Sequence, residues 1–87
     1  MLVNLNKNKW LHKWMEDTWR NEVLTIFEEV AGDDFPFIPD VKTLNKRLAS
    51  LLTSKGYRSR ATSSNNIIII MKDEEFTFLA LKYMGST

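Results

Sequence analysis

At 87 residues the chain has the length of one small domain with a single modest core. Its hydrophobic content of 44% and charged content of 26% exclude global disorder, and the absence of cysteine excludes disulfides and cysteine-ligated zinc. The formal net charge is only +1, so any attraction for a polyanion has to come from where the charges sit.

The polar opening Asn4, Asn6, Lys7, Asn8 and Lys9 lacks the apolar stretch of a signal peptide. The longest apolar run, Ile67 to Met71, is bounded by Asn66 and Lys72 and is too short to span a bilayer. The expectation is a cytoplasmic protein with no membrane partner.

Residues Asn8 to Ala31 carry helical periodicity, with Trp10, Leu11, Trp14 and Met15 on one face and Trp19, Val23, Ile26, Phe27, Val30 and Ala31 continuing it. The cap-type residues Asp17, Thr18 and Asn21 favour two helices over one, although no Gly or Pro forces a break. Gly32-Asp33-Asp34 signals a left-handed stop. Phe35-Pro36-Phe37-Ile38-Pro39 then reads as an extended connector whose apolar side chains pack back on the core.

Asp40 is suited to cap a helix, because its carboxylate accepts from free N–H groups of the first turn, and Pro39 keeps the entering chain extended. Val41, Leu44, Leu48, Leu51 and Leu52 follow at spacings of three and four, which predicts a helix over Val41 to Lys55 with that stripe facing the core. Gly56 ends it. Tyr57 to Thr62 and Ile67 to Met71 then read as strands joined by the turn Ser63-Ser64-Asn65-Asn66, an antiparallel hairpin. Asp73 to Met84 fits a helix capped by Asp73 and stopped by Gly85; it also fits a third strand, since Phe76 and Phe78 alternate with Thr77. The helix is preferred. Gly85-Ser86-Thr87 reads as a frayed end. The whole is an α+β chain forming one domain, 1–87, whose predicted core includes Trp14, Val23, Phe27, Leu44, Leu48 and Leu51.

Charge is segregated along this order. From Glu16 to Asp40 there are eight acids (Glu16, Asp17, Glu22, Glu28, Glu29, Asp33, Asp34, Asp40) against Arg20 alone. From Val41 to Met71 there are six bases (Lys42, Lys46, Arg47, Lys55, Arg58, Arg60) and no acid. The outer face of the Val41 to Lys55 helix bears Lys42, Thr43, Lys46, Arg47, Ser50, Thr53 and Ser54, and Arg58 and Arg60 flank its end. A lysine and serine face of this kind is also what an ordinary solvated helix shows. The segregation favours the second reading, a positive face that attracts phosphates. The candidate nucleic-acid-binding residues are therefore Lys42, Thr43, Lys46, Arg47, Ser50, Lys55, Arg58 and Arg60. Among them and their neighbours, Asn45 and Arg47 have side chains able to read a base edge bidentately, from the sides of the helix.

Helices, a connector, a basic helix ending in Lys55-Gly56-Tyr57 and a hairpin follow the order of a winged helix. More narrowly, Glu22-Val23-Leu24-Thr25-Ile26-Phe27-Glu28-Glu29-Val30-Ala31-Gly32 and Thr43-Leu44-Asn45-Lys46-Arg47-Leu48-Ala49-Ser50-Leu51-Leu52-Thr53-Ser54-Lys55-Gly56-Tyr57 resemble the C-terminal winged-helix domain of phage and mobile-element replication helicases of the virulence-associated-E and primase-helicase type. The resemblance extends from Trp10 to Met71. It implies binding of single- or double-stranded DNA beside a separate ATPase motor, with Lys42, Lys46, Arg47, Ser50, Arg58 and Arg60 at the binding surface. This chain has no G-x-x-x-x-G-K-[ST] loop, so it would be an isolated domain or a free-standing protein of the same fold.

Catalytic and metal chemistry find no support in the sequence. His12 stands alone among Trp10, Leu11, Lys13 and Trp14 without a second histidine or a cysteine, which gives it a structural or surface role. Glu28-Glu29 and Asp33-Asp34 lack the spacing of a calcium loop and read as solvated. Trp10, Trp14 and Trp19 share one helical stripe and read as packing residues before a base-stacking platform. No enzyme, cofactor, metal or small-molecule substrate is expected. The alternative to DNA binding is a small phage or mobile-element regulator or inhibitor that grips a larger protein through the acidic Glu16 to Asp34 surface or an exposed aromatic patch.

Overall fold

The structure, a computed structural model, describes residues 1–37 and 40–84. Within them the chain is a small α+β domain of four α-helices and a three-stranded antiparallel sheet. The elements are β1 (Leu2–Asn4), α1 (Trp10–Thr18), α2 (Arg20–Ala31) with a short 3-10 turn at Gly32–Asp34, α3 (Val41–Ser54), β2 (Ser59–Ala61), β3 (Ile67–Ile70) and α4 (Asp73–Met84). The α+β class, the helix pair before Ala31, the α3 span and the hairpin are as the sequence predicts. The ambiguous last segment is helical.

The break between α1 and α2 comes at Trp19, inside the expected window but without a side-chain cap. Thr18 instead turns its hydroxyl back to the Trp14 carbonyl at 2.7 Å. Tertiary packing sets the break: the Trp19 ring lies 5.3 Å from Trp14 and 6.1 Å from Tyr57, while Trp14 and Tyr57 stand edge to face at 5.4 Å.

The Asp40 cap forms as predicted, with Oδ1 accepting from the Thr43 N–H at 3.0 Å and Oδ2 from the Thr43 hydroxyl at 2.6 Å. At the other end Gly56 has φ +95°, a conformation L side chains rarely adopt. That turn lets the Tyr57 N–H reach back to the Leu52 carbonyl at 3.0 Å and the Gly56 N–H to Thr53 at 3.1 Å, a Schellman stop. It delivers Tyr57 onto the tryptophans and the chain into β2.

Sheet order is β1-β3-β2, with β3 in the centre. The register pairs Ser59 with Ile69 and Ala61 with Ile67 on one side, and Leu2 with Ile70 and Asn4 with Ile68 on the other. Four consecutive isoleucines suit a strand paired along both edges: Ile67 and Ile69 are fully buried, and Ile68 and Ile70 point to the opposite face. Strand β1 lies in the stretch read only as polar. It is three residues long, too short for periodicity, and the free edge of β3 recruits it; Leu5 extends the pairing through N–H to Ile67 O at 2.9 Å.

The core joins Val3, Leu5, Leu11, Trp14, Met15, Val23, Leu48, Leu52, Ile67 and Ile69. Three expectations need correction. Phe27 is only half-buried, because it faces the α1–α2 groove with Glu16, Arg20 and Leu24. Val41, first in the predicted stripe, is 46% exposed, since the opening turn of α3 overhangs the core. Phe35 and Phe37 do not pack back on the core: both are exposed, Phe37 by 69%. Phe35 to Phe37 follow the corner after Gly32 and leave both rings at the surface. Ile38 and Pro39, also assigned to that packing, lie outside the described residues, as do the Gly85 stop and the 85–87 tail.

Candidate nucleic-acid interface

All eight candidate residues are exposed, but the fold puts them in different surroundings. On the side of α3 that meets α2, the positive charges are matched. Arg47 is paired with Glu29, and the Lys55 Nζ lies 3.0 Å from Glu22 Oε1. Glu22 and Glu29 are two helical turns apart, as are Arg47 and Lys55, so two antiparallel neighbouring helices form a two-rung ladder. Sequence reading took the acids of α2 and the bases of α3 as separate surfaces; the matching two-turn spacings were the available signal.

On the side of α3 that meets the hairpin, the charges are not matched. Lys46, Ser50 and Arg60 line one groove between α3 and β2, with Ala49, Thr53, Ser54, Ser59 and Ala61 as its other walls. Neither Lys46 nor Arg60 makes an ion pair among the described residues, and Lys46 has only a longer-range attraction to Asp40. Most hydroxyls here are spent on backbone carbonyls: Thr53 and Ser59 donate to Ala49 O at 2.9 and 2.7 Å, and Ser54 to Leu51 O at 2.6 Å. The Ser50 hydroxyl makes no hydrogen bond to another described residue. Two cations and the Ser50 hydroxyl thus border one concave, solvated surface.

The remaining candidates stand apart. Lys42 is exposed at the start of α3, near Asp40. Thr43 has its hydroxyl committed to Asp40. Arg58 shares the outer side of the sheet with Arg60, two residues on, and lines a second groove there with Leu2, Arg60, Ile68 and Ile70, away from Lys46 and Ser50.

Asn45 is not a base reader. It is buried, at 6% exposure, and its Nδ2 donates to the Asn65 carbonyl at 2.8 Å, so it binds α3 to the hairpin turn. The turn itself has Asn65 at φ 61° and is closed by Thr62 N–H to Asn66 O at 2.8 Å.

Among the described residues no cluster of His, Cys, Asp or Glu could hold a metal ion. His12 is half-buried; desolvation lowers its pKa below the usual 6.5, opposed by Glu16 and by a hydrogen bond to the backbone of Leu5. Tyr57 donates its hydroxyl to Glu75, and burial, reinforced by that carboxylate, pushes the phenol up to about 12. Trp10 packs on Phe76 at 5.5 Å and on Tyr83 at 6.5 Å, so the tryptophans belong to packing. No described helix is long and apolar enough to cross a membrane. Comparisons with family models, with curated proteins and with solved structures find no match to this chain.

Proposed function

We propose that this chain is a nucleic-acid-binding module of winged-helix type, which contacts the phosphate backbone through Lys46, Ser50 and Arg60, with Lys42 at the margin. The observation that carries the reading is the unpaired Lys46 and Arg60 across one groove, while the α2 side of the same helix is neutralised. A basic helix followed directly by a hairpin, with an earlier strand completing the sheet, supports the winged-helix description. The sequence resemblance to domains of phage and mobile-element replication helicases supports a place beside a replication motor. Fluorescence anisotropy on single- and double-stranded oligonucleotides at low and moderate salt tests it. Saturable, salt-sensitive binding is expected; a folded protein that binds neither at low salt refutes it.

A second reading rests on Phe35 and Phe37, exposed beside Asp33 and Asp34 at the corner after α2. Two rings in an acidic frame suit insertion into a basic-rimmed groove on a larger protein. That module would ignore DNA and lose its partner on Phe37→Ser.

A further inference from the structure

The outer face of the sheet carries two cross-strand rows. Leu2 is opposite Ile70, and the Ile70 N–H bonds the Arg58 carbonyl on the far side at 2.8 Å, giving the row Leu2, Ile70, Arg58. Asn4, Ile68 and Arg60 form the second. Strand alternation turns these side chains away from the core, into which Val3, Ile67 and Ile69 point. Leu2 is 71% exposed and Ile70 45%. Helix α3 lies closest to the sheet, against β2 and β3, and the core it shares with α1 and α2 covers the inner face. What remains outside is an apolar strip bordered on one side by arginine.

Helix α4 carries the complementary shape. Leu79 is buried and Phe76 and Tyr83 pack on Trp10, whereas Glu74, Phe78 and Leu81 follow at spacings of four and three on the opposite side. Phe78 is 67% exposed and Leu81 74%. This is an apolar ridge with an acid at one end.

We propose that a second copy of this chain covers the outer sheet face with its α4, setting Leu81 on Leu2, Phe78 on Ile70 and Glu74 beside Arg58, reciprocally in a two-fold dimer. The spacings agree. At about 1.5 Å per residue Glu74 to Leu81 spans about 10.5 Å, and Leu2 to Arg58 crosses two strand intervals, about 9.6 Å. The sheet strip reaches the start of α4, where Arg58 and Ile70 share a groove with Lys72 and Glu75, the neighbour of Glu74. Continuity of that kind lets one patch meet its own copy about a two-fold axis. Charge, polarity and spacing together select a second copy over an anionic surface, which would match the arginines and leave the Phe78 and Leu81 ridge bare. The dimer does not depend on nucleic-acid binding, since Arg58 lies outside the groove of Lys46 and Ser50.

Analytical ultracentrifugation of the 87-residue protein over a wide concentration range tests it. The expected result is a reversible shift from 10.2 kDa to twice that mass. Phe78→Ser abolishes the shift with an unchanged circular dichroism spectrum, since that ring is exposed. Arg58→Glu and Glu74→Arg each weaken association about tenfold, and the double exchange restores it. A monomer at every concentration, assemblies that grow beyond two, or a double exchange no tighter than the single ones would overturn the proposal. DNA affinity of the Phe78→Ser variant, measured in parallel, reports separately on the nucleic-acid reading.

Discussion

The Nδ2 of Asn45, in the middle of the basic helix, donates at 2.8 Å to the carbonyl of Asn65, the one described non-glycine residue with positive φ. An inward hydrogen bond thus fixes the hairpin against α3 and sets how Arg60 stands relative to Lys46. With the Asn45 amide removed, the partly buried contact between α3 and the turn is lost, and the Asn65 carbonyl keeps only the longer bond from Asn6 Nδ2 at 3.4 Å. Asn45→Ala is expected to cost about 1–3 kcal/mol in urea denaturation and to speed amide exchange around the hairpin turn. Stability unchanged by the substitution would show the bond to be dispensable.

Asn45 also shows where sequence reading stops. Its neighbours Leu44 and Leu48 announce the buried stripe of α3, and the Asp40 cap and Gly56 stop are local chemistry, so the element and its ends were legible. An asparagine at the edge of the stripe points in or out according to what waits for it, and the Asn65 carbonyl is twenty residues away. The same limit hid β1, which exists only because β3 offers an edge, and the pairing of Glu22 and Glu29 with Lys55 and Arg47. For Phe35 and Phe37 apolarity suggested burial, but a connector at a corner has no core beneath it.

Leu48 is 2% exposed and at the centre of the α3 stripe, whereas Val41 overhangs it. Leu48→Ala is expected to cost about 2–5 kcal/mol through lost transfer energy and the cavity left behind. Val41→Ala should change stability by no more than about 0.5 kcal/mol. Equal effects in thermal or urea unfolding would contradict the burial pattern.

Groups with shifted pKa values give pH dependence in three windows, set by His12, by Asp40 and by the tyrosines Tyr57 and Tyr83. Because His12 has a depressed pKa in the fold, the unfolded chain takes its proton more readily; its contribution to stability is full above pH 6.5 and is lost as pH falls through the depressed value. His12→Gln should flatten that step in thermal midpoint. Asp40, held below 3.8 by its hydrogen bonds from the Thr43 hydroxyl and N–H, contributes above that value and loses its contribution only as pH falls further, through its own folded pKa. At the alkaline end the raised Tyr57 pKa supports the fold below pH 10, and this support disappears as pH rises through about 12. In an absorbance titration the Tyr57→Phe variant should lose one of two late ionisations, because burial and Asp17 hold the Tyr83 phenol above its ordinary value as well.

The α2 acids should restrain binding as well as stabilise. The Arg47–Glu29 pair is half-exposed, 46% and 51%, so a double-mutant cycle is expected to give only about 0.2–1 kcal/mol, reduced by salt. Removing the carboxylates has a larger consequence for a phosphate ligand, because it frees two cations on the same helix. Glu22→Gln with Glu29→Gln should tighten DNA binding and steepen its salt dependence. Unchanged affinity would mean that the α2 side of α3 does not approach the nucleic acid.

The groove makes the sharpest demand on function. If Lys46 and Arg60 each neutralise a phosphate, replacing both by alanine should lower affinity similarly for unrelated sequences and reduce the magnitude of the slope of log K against log salt by about 2, one released counterion per contact. Arg58→Ala, outside the groove of Lys46 and Ser50, should lower affinity far less than Lys46→Ala alone at equal loss of charge, which separates a local contact from a general charge effect. Ser50→Ala should weaken binding modestly and leave the slope intact, because a neutral hydroxyl releases no counterion. The protein-docking reading forecasts the reverse: Phe37→Ser abolishes partner capture, and none of the three cationic substitutions alters it. Anisotropy titrations of the wild type and these variants, with folding checked by circular dichroism, decide between them. Equal losses for Arg58→Ala and for Lys46→Ala would remove the groove from the account and leave only a diffuse positive surface.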